Sequence, residues 1–283
     1  MGISKMGRSS LAAALIYGLL VSVGTAADRL PDGGVAKATG QGPVQAWFGR
    51  PTDRYDHGIL GDGIEGGSLV VLDHGGNQHE LVLPERYVFE DITPRLADLD
   101  GDGRNEVIAI RSDITAGASV VVYQLTAGSL TEAAATAPIG TRHRWLSIAG
   151  IADYTGDGRL EIAVVKTPHI GGSLELLSLA GKRLISLHDP QTGYSTHFIG
   201  SRDVSLAASS DLTGDGTAEL VLPNQARTRL VVLSFNDGAE VLWMQDIPAR
   251  IDRPVRVLAQ RRIAVPLETG ETVRIELPTG LRE

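Results

Sequence analysis

The chain has 283 residues, 34 of them Gly and none Cys, and a formal charge of −8. Without Cys there is no disulfide framework and no thiolate-held zinc or iron–sulfur centre, and the acidity excludes wholesale binding to a phosphate backbone. A hydrophobic content of 42%, with only 4 Phe and 3 Met, calls for an ordered, aliphatic core.

Lys5 and Arg8 precede an apolar run from Leu11 to Val23 that ends in Gly24-Thr25-Ala26-Ala27. The run is too short to cross ~30 Å of hydrocarbon as a helix. With a basic start and small residues at −3 and −1, it predicts a secretory signal peptide over residues 1–27, cleaved after Ala26 or Ala27. The expected location is periplasmic or secreted, with no transmembrane segment after cleavage. Residues 28–43, tinted with Gly, Ala and Pro, read as a flexible leader into a single domain over 44–283.

Internal repeats organise that domain. Three segments align without gaps around acidic turns that begin at Asp98, Asp153 and Asp211. Each has an apolar run before the turn, a β-branched run after it, and two further strand-like runs, such as Ser173–Leu179 and Lys182–His188 in the second unit. Two weaker units flank them, one around Tyr55–Asp73 and one over Arg253–Leu277 that supplies three strands. Four strands per unit with Gly-rich turns predict an all-β fold, a β-propeller of five four-stranded blades. Gln45–Gly49 is placed to lend the last unit its fourth strand and so close the ring.

The acidic turns carry metal-ligand spacing. The first puts Asp98, Asp100, Asp102 and Glu106 at positions 1, 3, 5 and 9, with the Arg104 carbonyl at 7. Alternate residues of a tight loop turn their oxygens inward, and that many hard donors suits Ca²⁺ rather than a transition metal. The second turn offers Asp153, Thr155, Asp157, Arg159 and Glu161, and the third Asp211, Thr213, Asp215, Thr217 and Glu219. A neutral Thr at position 3 predicts weaker binding in both. Asp-Gly alone is a good hairpin turn, but turn propensity does not demand Glu at position 9 three times.

The Asp-x-Asp-Gly-Asp-Gly-x-x-Glu run followed by a valine-rich strand resembles the FG-GAP/VCBS repeat family of β-propellers, which includes the head of integrin α subunits and many exported bacterial proteins. The resemblance implies structural Ca²⁺ on Asp98, Asp100, Asp102 and Glu106, and a binding or scaffolding propeller more often than an enzyme. Thr155 and Thr213 depart from that pattern. Phe-Gly and Gly-Ala-Pro elements are mostly missing, so the chain is closer to the VCBS type.

If the acidic turns lie on one rim, the blade crossings and second-to-third turns lie on the other. That rim collects His57, Arg142, His143, Arg144, Trp145, His169, His197 and Arg202, which are the candidate ligand-binding residues. Arg142 and Arg144 suit a carboxylate or phosphate, and Trp145 suits either ring stacking or blade packing. The partner classes left open are a protein, a peptide, a glycan or a small anionic ligand, and nucleic acid is excluded on charge. No hydrolase or P-loop motif spacing is present. The leading expectation is a binding module. The alternative, a hydrolase- or lyase-type enzyme with a His/Arg site at the axis, requires at least two of the four rim histidines within hydrogen-bond or shared-ligand reach.

Overall fold

The computed structural model describes Met1, residues 28–259 and residues 261–281; apart from Met1, the expected signal peptide and its cleavage site after Ala26 or Ala27 fall outside them. Every regular element described is a β-strand, and all strand pairings are antiparallel. Among the described residues no helix is long and apolar enough to cross a membrane.

The first array comprises β1 (Ala36–Lys37), β2 (Pro43–Thr52), β3 (Glu65–Asp73) and β4 (Gln78–Val82), paired in that order. In the second, β5 (Tyr87–Phe89) and β6 (Arg95–Ala97) both pair with β7 (Glu106–Asp113), which continues to β8 (Gly117–Thr126) and β9 (Ser129–Ala135). A single pairing, Gly66 with Phe89, joins these two arrays into one sheet. The third array is β10 (Leu146–Ala152), β11 (Glu161–Lys166), β12 (Ser173–Ala180) and β13 (Arg183–Ser186). The fourth is β14 (Ala208–Ser210), β15 (Glu219–Pro223), β16 (Arg229–Ser234) and β17 (Glu240–Asp246). The last has three strands, β18 (Arg256–Ala259), β19 (Arg262–Pro266) and β20 (Thr272–Glu276).

The sequence dictates this layering through its middle strands. β11 and β15 are continuous apolar runs, buried on both faces, whereas the outer strands β4 and β17 alternate or stay exposed. Period-two alternation sends successive residues to opposite neighbours. Val107 and Ala109 of β7 pack with Phe48, Leu69 and Val71 of the first array, while Ile108 and Ile110 pack with Ile148, Ile162 and Val164 of the third. Ala163 and Val165 then meet Leu220 and Leu222, and Val221 and Val232 meet Ile263 and Val265. Four shared cores thus hold five arrays in sequence.

Two expectations are corrected. Gln45–Gly49 lies inside β2, where Gln45 pairs with Leu72 and Gly49 with Ser68. Ala46 and Phe48 are fully buried with Leu69 and Val71, so this strand belongs to the first array. Among the described residues the last sheet keeps three strands and no apolar cluster joins it to the first. Residues 28–43 are likewise not a loose leader. Leu30, 2% exposed, donates its N–H to the Phe48 carbonyl at 3.0 Å, and the Arg50 N–H reaches the Asp28 carbonyl at 2.9 Å. Together with β1, this segment lines the edge of β2 in two pieces, as β5 and β6 line β7. Burial of Leu30 drives it into place.

Gly172 ties the third array to the crossing that follows it. Its φ is +48°, and a Cβ there would lie 1.5 Å from the Tyr194 carbonyl oxygen. Left-handed strain and displacement of that carbonyl both oppose a side chain. Gly172→Ala is expected to cost about 2–4 kcal/mol, read as a fall in melting temperature of roughly 5–15 °C; an unchanged melt would refute the tight approach.

Candidate functional site

Two constellations carry chemistry, one in the acidic turns and one around the rim histidines. In the first turn the Asp98 carboxylate accepts the N–H groups of Gly101 and Gly103, both at 2.8 Å, and Glu106 accepts the Leu99 N–H at 2.9 Å. Gly101 and Gly103 have φ of 77° and 84°, so the backbone curls back on Asp98. The same bonds recur around Asp153 and Glu161, and around Asp211 and Glu219. Repeated sequence therefore gives repeated geometry.

The three turns differ in what they bring together. Asp98, Asp100 and Glu106 each place a carboxylate oxygen within 4.8 Å of the others, as do Asp153, Asp157 and Glu161. No such group forms from the third turn among the described residues: Asp215 there accepts from Thr217 and from the Asn236 amide. Asp102 caps the Arg104 N–H at 2.8 Å and stands outside the first group. Glu106 is 5% exposed, and its carboxyl is pushed up to about 7, by burial first and by Asp100, Asp102 and Asp98 in addition. Thr155 and Thr213 donate their hydroxyls to Glu161 and Glu219 at 3.2 Å. Asp100 has no hydrogen to donate in the same place when ionised. Three converging carboxylate oxygens, one of them buried, fit a hard divalent cation.

These turns also fasten neighbouring segments. The Asn105 amide donates to the carbonyls of Thr39 at 2.9 Å and Pro43 at 3.0 Å, which pins the segment before β2. The Ala218 N–H donates to the Asp153 carbonyl at 2.9 Å, which links the second turn to the third.

On the other rim, His57, His143, Arg144, Trp145, His169 and Ile199 border one pocket of about 160 Å³. His57 and His143 stack at 5.0 Å between ring centroids, and His169 Nε2 lies 2.9 Å from His197 Nδ1. Trp145, 2% exposed, donates Nε1–H to the Glu90 carbonyl at 2.9 Å and packs its ring on both His169 and His197. It is blade core that also borders the pocket. Behind His57 sits Glu90, fully buried, which bonds His57 Nδ1 with one carboxylate oxygen and takes the Ser112 hydroxyl on the other. Burial pushes the Glu90 carboxyl up, and the bonds to His57 and Ser112 oppose that.

Not every expected residue joins this pocket. Arg142 is held by Asp56 at 2.7 Å, which also receives His143 Nε2 at 3.0 Å, so Arg142 is not free to grip a ligand. Arg202 lies elsewhere, bonding the Leu60 carbonyl and pairing with Asp32 and Asp62. With the Gly200 N–H to Ile59 carbonyl bond of 2.9 Å, it ties the segment after His197 to the β2–β3 loop. Arg202 also borders a cavity of about 1090 Å³ to which Ala38, Leu96, Ile148, Val204 and Pro254 contribute. Glu90, Asp91 and Glu65, all buried, are functional-grade acids that the sequence reading missed. Glu65 opens β3 and the adjacent Glu90 and Asp91 follow β5, and no repeated spacing marks them.

Burial drives both His169 and His197 down to about 4; the neighbouring imidazole (His197), His57 and Arg227 add to this for His169, and Arg227 adds to it for His197. The unfolded chain, with histidine near ~6.5, therefore binds more protons between those values. Stability that is complete above pH 6.5 is lost as pH falls toward 4. Raised carboxyls such as Glu65 act in the opposite direction, so the comparison is with His197→Gln. The parent is expected to lose roughly 5 °C or more of melting temperature over that interval relative to the variant; parallel profiles would refute the neutral buried pair.

Residues 98–164 match the family model described as FG-GAP-like repeat. No curated protein sequence matches the chain. Among solved structures, the exotype rhamnogalacturonan lyase YesX is 13% identical, with a TM-score of 0.47 over 87% of this chain and 56% of the lyase. The periplasmic gluconolactonase PpgL of Pseudomonas aeruginosa is 12% identical, with a TM-score of 0.41 over 88% of this chain and 82% of that one. The chain thus spans little more than half of the lyase. The stretch that holds the first two acidic turns carries the FG-GAP-like repeat, as its aspartate spacing had indicated.

Proposed function

We propose that the chain is an exported, calcium-stabilised β-propeller of five blades that acts as a binding module, with a small anionic ligand seated in the rim pocket. The five-blade reading is supported by the five arrays and by the long cavity, to which β6, β10, residues 202–205, Pro254 and the segment at Lys37–Thr39 all contribute. That is one element from each array around a common axis. Calcium is supported by the acidic groups and by the repeat they belong to.

One observation carries the ligand reading. Arg144 borders the rim pocket and, among the described residues, has no acidic partner, whereas Arg142 on the same crossing is neutralised by Asp56. An uncompensated guanidinium beside the His57, His143 and His169 imidazoles and an indole favours an anion small enough for about 160 Å³. A second reading, an enzyme, is favoured by the His57–Glu90 pair. Nearby Glu65 is driven up to about 9 by burial and by Glu90, Asp62 and Asp91. An imidazole backed by a carboxylate and a carboxyl kept protonated are the parts of acid–base work.

Two measurements test the leading reading. EGTA should lower the melting temperature and speed hydrogen exchange over residues 36–43, Ca²⁺ should restore both, and Asp100→Ala should blunt the response. Indifference to chelator would overturn the calcium assignment. Calorimetric titration with acetate should give saturable heat that Arg144→Met abolishes, and equal binding by the variant would remove the pocket from consideration.

A further inference from the structure

The hydrogen bonds behind the rim pocket decide what its inner wall can accept. The Ser201 carbonyl can only accept, so His197, 3.0 Å away through Nε2, carries its hydrogen there. Burial keeps this imidazole neutral at pH 7, and its Nδ1 is then a bare lone pair. That lone pair faces His169 Nε2 at 2.9 Å, so His169 donates from Nε2. Being neutral as well, His169 has a bare Nδ1. No described group bonds that nitrogen, and it is not among the buried atoms left without a partner, so it is open to whatever fills the pocket. Trp145 fixes the ring plane, stacked at 6.3 Å and 10°, and the Gln225 amide holds the turn through the Pro168 carbonyl at 2.8 Å. The relay from Ser201 to His169 is thus a rigid, one-directional chain that ends in an acceptor.

From this we infer that the rim pocket selects a small hydroxylated carboxylate, its carboxylate on Arg144 and its hydroxyl donating to His169 Nδ1. The inference rests on the anion reading above and goes further by naming the second group. A simple anion would leave the His169 acceptor unpaired when the pocket's water is displaced, and an unpaired polar atom is disfavoured. A hydroxyl on the acid supplies the missing donor. Sulfate fits less well, since a fully ionised oxyanion offers acceptors only. The pocket volume of about 160 Å³ equals that of about five liquid waters, which suits an acid of three or four carbons or the acid end of a sugar acid. His57 stands across the same pocket with Glu90 bonded to its far nitrogen, and gives a second polar contact for a further hydroxyl.

The test compares acids that differ in one group. Lactate and glycerate should bind the intact protein about five- to tenfold more tightly than propionate, the gain expected of one added hydrogen bond. His169→Phe keeps the ring stacked on Trp145 but removes the acceptor; it should lose the preference for lactate over propionate. Arg144→Met should bind none of the three. Should His169→Phe fail to fold, the ¹⁵N shift of the wild-type imidazole answers the same question: an unprotonated Nδ1 that moves on lactate addition supports the assignment, and a protonated Nδ1 overturns it. Equal affinity for lactate and propionate would overturn the hydroxyl assignment and leave the anion reading standing. Absence of binding by all three acids would remove both.

Discussion

The structure depends on strands that are buried on both sides. Because β7 sends Val107 and Ala109 one way and Ile108 and Ile110 the other, no array has a core of its own. Each core is half one array and half the next. A one-residue slip of β7 would exchange its two faces and put isoleucine where the first array has space for alanine and valine. Register in one array is therefore fixed by its neighbours, and the turn positions follow from register. That is why three acidic turns with the same sequence sit at one end of their arrays and the crossings, with their histidines, at the other.

Crowding the crossings together at the rim has an electrostatic consequence. His57 comes from the β2–β3 loop of the first array and His143 from the crossing between the second and third, and His169 and His197 from a turn and the next crossing, yet they converge on Tyr55 and Trp145. Desolvation there disfavours charge, so the inner pair is held neutral and relays hydrogen bonds instead of carrying protons. At the edge, Arg142 is cancelled by Asp56, and Arg144 is not. His143 and Thr167 at the same rim take φ of 57° and 47°, a conformation that non-glycine residues adopt at some cost and that the surrounding hydrogen bonds maintain.

How much of this was legible in the sequence follows from which signals repeat. Asp98, Asp153 and Asp211 announced themselves because the same spacing occurs three times, and the rim histidines because strand order sends crossings to one side. The segment at Leu30 was misread since one buried leucine between Gly- and Pro-rich stretches has no periodicity to betray a strand. Gln45–Gly49 was assigned to the wrong array because an alternating run states that it is a strand without stating its partner. Arg202 reads like any loop arginine; only its closure onto Leu60 and Asp62 tells it from Arg144. Glu65, Glu90 and Asp91 were invisible for the same reason. Burial of a lone acid is a property of the tertiary fold.

The three acidic turns share a backbone but solve the problem of a buried glutamate in different ways. In the second and third, the Thr155 or Thr213 hydroxyl supplies a hydrogen to the Glu carboxylate, and the turn is partly satisfied from within. The first has Asp100 at that place, which adds a negative charge where the others add a donor, and Glu106 feels it. An external positive charge or a proton on Glu106 relieves that arrangement. The same turn holds the segment from Thr39 to Pro43 through Asn105, at the junction between two arrays that share a single strand pairing. The turn with the greatest need of a cation is thus the one that fastens the beginning of the fold to the rest. In a chain without cysteine, a metal bound there would add to the shared core that already joins the first array to the second.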